Sequence, residues 1–361
     1  MLFPYKYISH SMEKMQEFID FIFYEVWCKA PFAEYGIHLF ETNTDLYDIM
    51  DELFRRDLAE KLKDDGAAKF FYEGVNDIFN EFVSLTAEEI TEYQLHFRAN
   101  NDIEQSCAGR KDYTPVTYPS LNPSKVQLNH KLKSFYKNLY SSGFLGLSKT
   151  AEKIGLLRDY YDCLVRENDE GVCPFCGLLP VDGEFDPTRE AFDHYLPKSK
   201  YPFNSVNLKN LAPSCNKCNS GNKRDIDPLH DKAGNRRKAF YPFSTTHTGI
   251  KITVSILHRR WDGLRPDDIS VGLCSAANSE EIDTWKELYR IDQRYSARCC
   301  YKNGGNAWLN RIFNECQNYG QSRTEMFTAE IQSATTNPWF ESNFLKKAFL
   351  EGCQKAGLFA E

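Results

Sequence analysis

The sequence predicts an α+β protein in which a small, cysteine-clipped core with short strands is flanked by mainly α-helical regions. Through most of the chain, apolar residues recur at three- and four-residue steps, which is typical of helices that bury one face. One segment breaks this pattern with closely spaced Pro, Gly, Cys and Asn. We therefore predict a helical N-terminal region (1–165), a compact core (166–235) and a C-terminal region of short strands followed by helices (236–361).

The helical prediction for the N-terminal region rests on four apolar stripes. Ser11 can cap the first helix, because a serine hydroxyl accepts a hydrogen bond from the free N–H groups of a helix start. The stripes lie within residues 12–26, 46–54, 75–83 and 132–139. Residues 101–125 are polar and contain three prolines, which predicts a long surface loop.

The C-terminal region begins with a predicted strand and ends with predicted helices. Residues 250–257 (IKITVSIL) alternate β-branched and polar residues, the pattern of a half-buried strand. Helical spacing returns in the last eighty or so residues, for example at Trp308, Leu309, Ile312 and Phe313. Core packing explains these stripes, and none of them has the pattern of a cofactor site.

Length and composition favour a globular protein. The chain has 361 residues, of which 42% are hydrophobic and 14% aromatic, enough to bury sizeable cores. No apolar run approaches the roughly 20 residues that a membrane-spanning helix needs. The first residues, MLFPYKYISHSMEKMQ, lack the apolar segment and cleavage site of a secretory signal. We therefore expect a cytoplasmic protein with no membrane partner.

Four of the twelve cysteines form two CxxC pairs. Cys173 and Cys176 are followed, after 38 intervening residues, by Cys215 and Cys218. Four thiolates in two such pairs supply the closed tetrahedral shell of a structural Zn²⁺. A redox-active CxxC is the alternative, but two paired motifs favour zinc, which would clip together the two ends of the intervening segment.

Positive charge is concentrated in and just after this segment. The chain carries a net charge of −7, but residues 189–260 hold fourteen Lys and Arg against five Asp and Glu. The basic residues near the cysteines are Lys198, Lys200, Lys209, Lys217, Lys223 and Arg224, and beyond them lie Arg236, Arg237, Lys238, Arg259 and Arg260. A solvated basic surface is one interpretation. The other is a set of phosphate contacts, which would give affinity for nucleic acid without base recognition.

The residues between and after the cysteine pairs follow the pattern of a known nuclease family. The segments are FDHYLPK (192–198), NLAPSC (210–215) and CNSGNK (218–223). This order resembles the HNH, or ββα-metal, endonucleases, specifically the subgroup in which two CxxC pairs bracket the active site. The match covers about 50 residues. The resemblance implies a small ββα core, with two strands carrying the Asp-His pair and the Asn loop and a helix starting near Cys218.

Phosphodiester hydrolysis requires a base that deprotonates water and a cation that neutralises the developing charge. His194 suits the base role, since an unperturbed histidine pKa of about 6.5 leaves it largely neutral in the cell. Asp193 offers a hard oxygen ligand, and Asn219 a neutral one, to a catalytic Mg²⁺ or Mn²⁺. The resemblance implies the same roles, and it implies that Asn210 bridges the loop and orients the histidine ring.

The sequence departs from the family pattern at its third position. That position is Asn rather than His, and CNSGNK carries one residue more before its lysine than the commoner spacing. Asn222 could therefore replace Asn219 as the metal ligand. Asn-rich turns also form simply because Asn tolerates left-handed backbone geometry.

The sequence thus predicts a metal-dependent HNH endonuclease (a phosphodiester hydrolase) acting on DNA rather than RNA. The run from 193 to 219 is also similar to HNH subunits that partner ATPases in bacterial antiphage systems, which implies a protein partner for the helical flanks. Two alternatives stay open: a zinc-stabilised adaptor with a vestigial site, and a zinc-ribbon nucleic-acid binder without cleavage. Zinc structure alone requires neither Asp193 nor His194, which favours the enzyme.

Overall fold

The computed structural model describes residues 1–62, 65–140, 145, 147–258, 263–320 and 322–359. Arg259 and Arg260, which the sequence placed in the basic segment, lie outside the described residues. The described residues form a helix-rich α+β structure with two small antiparallel sheets, as the sequence predicted at the level of fold class. None of its described helices is both long enough and apolar enough to span a bilayer.

The N-terminal region is helical. Its helices are α1 (Lys14–Phe21), α2 (Thr44–Leu58), α3 (Gly66–Phe82), α4 (Ala87–Asn101), α5 (Ile103–Cys107), α6 (Val126–Asn138), α7 (Ser148–Ile154) and α8 (Leu157–Glu167). Helix α2 begins after Asn43, whose side chain accepts a hydrogen bond from the Leu46 N–H at 3.1 Å. Helix α1 continues as a π-helical segment, Ile22–Trp27, and its Trp27 ring is fully buried with Nε1 donating to the Val75 carbonyl at 2.9 Å.

Two details of this region differ from the sequence prediction. Ser11 does not cap a helix; its hydroxyl instead donates to the Ile154 carbonyl at 2.8 Å, and His10 caps a short 3-10 turn. The segment predicted as a loop begins with helix α5, capped by Asp102. The Ser11 hydroxyl thus has a distant partner in place of the local one, whereas α5 forms because Asp102 accepts from the Gln105 N–H three residues on.

The central region contains the first sheet. Strand β1 (Phe192–His194) pairs antiparallel with β2 (Leu211–Pro213), so that Asp193 faces Ala212 and His194 faces Leu211. A π-helical segment, Lys217–Lys223, follows β2 where the sequence predicted a helix near Cys218. Each strand is three residues long, so the hairpin depends on packing from the flanks.

The described part of the C-terminal region contains the second sheet and five α-helices. Strand β3 (Lys251–Ile256) confirms the strand predicted at 250–257, and it pairs antiparallel with β4 (Ile269–Cys274). The helices are α9 (Ser279–Tyr289), α10 (Ile291–Cys300), α11 (Gly305–Tyr319), α12 (Arg323–Thr336) and α13 (Asn343–Lys355). Helix α13 packs on β3 at Gly352, where a Cβ atom would lie 2.2 Å from the Val254 carbonyl oxygen.

Both flanks contact the central region directly. The N-terminal Tyr5 hydroxyl donates to the Pro213 carbonyl at 3.0 Å. From the C-terminal side, Trp285 Nε1 donates to the Phe175 carbonyl at 2.8 Å and the Tyr295 hydroxyl to the Cys176 carbonyl at 2.9 Å. These bonds are buried, so the flanks fix the backbone of the cysteine-bearing loops. The domain boundaries near 165 and 235 stay a prediction.

Candidate metal centre and Asp-His site

The two CxxC pairs converge as the sequence predicted. The Sγ atoms of Cys173, Cys176, Cys215 and Cys218 all lie within 4.8 Å of one another, and the four side chains are buried. The Cys176 and Cys215 sulfurs are 4.0 Å apart. Zinc–sulfur bonds of about 2.3 Å in a tetrahedron put sulfur atoms roughly 3.8 Å apart. The four cysteines could therefore hold a zinc ion.

Tight turns present the sulfurs of each pair. The Cys176 and Gly177 N–H groups donate to the Cys173 carbonyl at 3.1 and 2.7 Å, and the Cys218 N–H donates to the Cys215 carbonyl at 2.8 Å. Gly177 has φ +64°, and a Cβ there would lie 2.6 Å from a Leu2 methyl group. Only glycine fits both constraints without strain.

A half-buried cation lies beside the cluster. Arg294 on α10 donates from Nη1 to the Cys218 sulfur at 3.2 Å. Burial opposes the charge on this guanidinium, but the neighbouring Cys218 and Cys176 sulfurs raise the pKa of Arg294 and keep it charged. Four thiolates around one Zn²⁺ leave two negative charges, so a fixed arginine partly neutralises the occupied site. The donor set, its burial and this cation all fit zinc.

Asp193 lies next to this centre in a buried ion pair. Its carboxylate is 3% exposed, and its Oδ1 atom accepts from the fully buried Lys223 Nζ at 2.9 Å. The same ammonium donates to the His194 carbonyl at 2.9 Å. Burial raises the pKa of Asp193, whereas Lys223 acts in the opposite direction. The Asp193 Oδ2 atom is buried and has no hydrogen-bond partner among the residues described.

Lys223 therefore has a different role from the one that its position in the basic segment suggested. We expected it to contact phosphate together with its basic neighbours. With no exposed surface, the ammonium instead pairs with Asp193 across 30 residues of sequence. In the sequence, the position of Lys223 in CNSGNK was the only indication that it differs from its basic neighbours.

The His194 ring is held by one of its nitrogens. Nε2 lies 2.9 Å from the Ser205 carbonyl, and because a carbonyl only accepts, Nε2 carries the proton. Nδ1 is then the unprotonated nitrogen. Burial, reinforced by the charge of Lys198, lowers the pKa of His194 to about 3. The ring is thus neutral across the cellular pH range, with a lone pair on Nδ1.

Asn210 clamps the loop between the two strands. Its Oδ1 accepts from the Leu196 N–H at 2.8 Å, and its Nδ2 donates to the Leu196 and Asn204 carbonyls at 3.0 and 3.3 Å. The side chain is fully buried. Because Asn204 precedes Ser205, the clamp fixes the carbonyl that holds His194. The predicted role of Asn210 in orienting the ring would act through this backbone.

The two candidate asparagines of the π-helical segment differ in their surroundings. Asn222 donates from Nδ2 to the Lys217 carbonyl and lines a cavity with Arg290 and Arg294. Asn219 is half-buried, and its side-chain amide makes no hydrogen bond with the described part of the chain. The Asn222 side chain is thus anchored through its amide nitrogen, whereas the Asn219 side chain is not, and the choice of Asn219 over Asn222 as a ligand stays a prediction.

Cations and an aromatic ring surround His194. The Tyr140 ring packs edge-on against the imidazole with centroids 4.8 Å apart, and Lys198 Nζ lies 5.3 Å from the Tyr140 centroid. Burial and the charge of Lys137 lower the pKa of Lys198. Neither Lys137 nor Lys198 forms an ion pair with a carboxylate of the residues that the structure describes. Sequence reasoning missed Tyr140 and Lys137, which lie more than fifty residues from the Asp-His pair.

Two arginines expected to contact phosphate have internal partners instead. Arg236 donates to the carbonyls of Leu229 and Ser106. The Arg237 side chain is 10% exposed; it pairs with Glu287 at 2.6 Å and donates to the Asp227 carbonyl. Both guanidinium groups thus stabilise the fold of their own segment. Of Arg236, Arg237 and Lys238, only Lys238 is exposed.

Fold and site together define a helix-rich α+β protein in which four buried cysteines that could hold a zinc ion lie in the same region as a hairpin carrying the Asp193-His194 pair. No family model matches the chain, and no solved structure matches it. It is 34% identical over 117 residues to Protein ea31 of Escherichia phage lambda, covering 32% of this chain and 34% of that protein. It is 38% identical over 74 residues to Septu protein PtuB of Bacillus thuringiensis, covering 18% of this chain and 29% of that protein. The chain thus spans about a third of the length of these relatives.

Proposed function

We propose that the chain is a metal-dependent endonuclease of the HNH type that hydrolyses DNA phosphodiester bonds. The observation that carries the proposal is the arrangement of His194. Its Nε2–H is held by the Ser205 carbonyl, which leaves Nδ1 as the basic nitrogen, and the buried Asp193 carboxylate belongs to the preceding residue of strand β1. A structural zinc site does not require this pair, and the hairpin, the Asn clamp and the cysteine cluster lie in the order that the ββα-metal resemblance implies.

The Asp193 carboxylate fits a divalent cation. Its Oδ2 oxygen is buried without a partner while Oδ1 is committed to Lys223, so one hard oxygen remains for Mg²⁺ or Mn²⁺. Asn219 would supply a second, neutral oxygen. When bound, the ion would neutralise negative charge that develops on the phosphoryl and leaving oxygens.

His194 then acts as the general base. Its neutral Nδ1 takes the proton of the attacking water, and the Ser205 carbonyl stabilises the resulting imidazolium through Nε2–H. Burial, and after it the charge of Lys198, opposes the positive charge of the imidazolium in the free protein. A phosphodiester placed against Lys198 would offset the opposition, so the base becomes stronger when substrate is present.

Lys198 and Lys137 are the cations best placed to bind the substrate backbone. They lie on the Tyr140 side of His194 and have no carboxylate partner in the part of the chain that the structure describes. Unpaired lysines of this kind contact phosphate without reading bases. This surface replaces the arginines at 236 and 237 as the expected phosphate contact.

The partial similarity to Septu protein PtuB suggests a role in antiphage defence. We propose that the nuclease works with a protein partner, of which an ATPase is the leading candidate, bound through the helical flanks. Co-purification of the intact chain from its native host, followed by mass spectrometry, tests this: recovery of the chain alone would contradict it.

The nuclease proposal is tested by His194→Ala in purified, zinc-loaded protein. With plasmid DNA and Mg²⁺ or Mn²⁺, the variant should lose on the order of 10²–10⁴ in cleavage rate, the range for removal of a positioned base. Zinc content and DNA affinity should not change. His247→Ala removes an exposed histidine and serves as the matched control.

Asp193→Asn separates the metal role from the base role. The amide keeps an acceptor for Lys223 but removes its counter-charge, so zinc content and circular dichroism are used to select conditions in which the variant is folded, and there its affinity for the cation should fall. Raising Mn²⁺ should restore part of the Asp193→Asn activity and none of the His194→Ala activity. Cleavage at the wild-type rate by His194→Ala would contradict the mechanism, and wild-type protein that binds DNA without cutting it would support the binding-only alternative.

A further inference from the structure

A second cationic site lies on the zinc-centre side of the π-helical segment Lys217–Lys223. It is a cavity of about 370 Å³ between that segment and helix α10. Four basic side chains line it: Lys217, Arg290, Arg294 and Arg298. Among the described residues that form its wall, none is acidic. A group of four cations without a carboxylate is unexpected in a chain whose net charge is −7.

Three of these cations are not neutralised by the protein. Arg294 is committed to the Cys218 sulfur and belongs to the zinc centre. Lys217, Arg290 and Arg298 form no ion pair with any carboxylate in the described ranges. Lysines elsewhere on the surface are often paired, as Lys153 is with two aspartates. Three uncompensated cations around one concavity raise its potential and favour an anion.

The other residues of the cavity wall suit a ligand that has an aromatic or apolar group attached to its anion. The Tyr301 side chain is 50% exposed at the cavity, so its ring is available for stacking. The Arg298 Nε atom is buried without a hydrogen-bond partner. Leu178, Leu179 and Ala297 add apolar surface. The volume lies in the range of small-molecule sites, about 300–1,000 Å³.

We propose that this cavity binds a phosphate-bearing ligand, with Lys217, Arg290 and Arg298 contacting the phosphate oxygens and Tyr301 stacking on an attached base. Guanidinium groups match phosphate oxygens in pairs, which suits the two arginines. The ligand is either a free nucleotide or the backbone of a nucleic acid. The proposal is independent of the nuclease proposal, because it uses neither Asp193 nor His194.

Calorimetric titration of the zinc-loaded full chain, without Mg²⁺ or Mn²⁺, tests the proposal. The probes are inorganic pyrophosphate, ATP and a short DNA duplex. Lys217→Gln and Arg290→Gln should each weaken binding of the recognised probe by roughly tenfold or more, the effect of one charge-assisted hydrogen bond. Lys302→Gln, an exposed cation next to Tyr301 that does not line the cavity, should change it less than twofold.

The probes distinguish the two sources. A free nucleotide is supported if ATP binds and Tyr301→Ala weakens ATP but not pyrophosphate. A nucleic-acid backbone is supported if only the duplex binds and both Gln variants weaken it. Zinc content and circular dichroism show whether each variant is folded. If Arg290→Gln misfolds, Lys217→Gln still tests the proposal, because the Lys217 side chain is exposed. The proposal is overturned if no probe binds, or if neither Gln variant affects binding.

Discussion

Replacing Asn210 by alanine should destabilise the site more than any surface change. The substitution removes three buried hydrogen bonds, with the Leu196 N–H at 2.8 Å and with the Leu196 and Asn204 carbonyls at 3.0 and 3.3 Å. It also leaves the buried Leu196 N–H without an acceptor. No water replaces the amide unless the loop opens.

The magnitude follows from these contacts. Each intramolecular hydrogen bond contributes about 1 kcal/mol net, and an unsatisfied buried donor costs about 1–3 kcal/mol. Three bonds and one orphaned donor give an expected loss of roughly 4–6 kcal/mol in the free energy of unfolding. Losses in that range are exceptional for a single substitution and indicate a buried network.

Urea unfolding of the zinc-loaded protein, followed by tryptophan fluorescence, measures this loss as a lower midpoint. Asn235→Ala is the matched control, because Asn235 is exposed and bonds only within its own turn; its effect should stay within about 0.5 kcal/mol. The clamp also fixes the Ser205 carbonyl, so cleavage should slow at unchanged zinc content. A loss below about 1 kcal/mol for Asn210→Ala would refute the reasoning.

Three further predictions concern the metal centre and its surroundings. Metal analysis should find about one zinc per chain, and Cys215→Ser should lose it and destabilise the core, since structural zinc binding is coupled to folding; folded, zinc-free wild-type protein would contradict this. Lys223→Met should lower the free energy of unfolding by about 3–5 kcal/mol, because it leaves the Asp193 charge buried and unpaired. In the same unfolding assay, the double variant with Asp193→Asn should recover part of this loss. Additive losses of the two substitutions would rule out the pairing. Lys198→Gln should reduce the slope of log affinity for DNA against log salt by up to about 0.9, whereas Lys302→Gln should not; equal slopes would exclude Lys198 as a phosphate contact.

The sequence predicted best what depends on local spacing. Two CxxC pairs predict a cluster of metal-binding cysteines, because each pair forms a turn from local residues alone. The structure brings their four sulfurs together. The strand at 250–257 was visible because its alternating residues match the two faces of a sheet. The Asp-His pair and Asn210 could be placed on a hairpin because the resemblance supplied the order of the elements.

What the sequence could not predict depends on approaches between distant segments. Ser11 has the local chemistry of a helix cap, yet its hydroxyl bonds to a carbonyl 143 residues away. Tyr140 reaches His194 from the end of α6, and Arg294 reaches Cys218 from α10. No spacing rule connects such pairs, because they are set by how the flanks pack on the central hairpin. The internal bonds of Arg236 and Arg237 have the same cause: in sequence these arginines are indistinguishable from solvated cations.

Lys223 links the metal centre to the Asp-His pair. It ends the π-helical segment that contains Cys218, and its ammonium bonds to both the Asp193 carboxylate and the His194 carbonyl. Burying this ammonium is favourable only when the carboxylate is in place, since an isolated buried charge costs several kcal/mol. Closing the cysteine cluster around zinc would hold the segment against the hairpin, and the hairpin would then hold Asp193 with one oxygen paired and the other free. In the proposed nuclease, a bound zinc ion would therefore act through position alone: it would fix the segment that carries Lys223, and Lys223 would fix the carboxylate that the proposed catalytic cation would use.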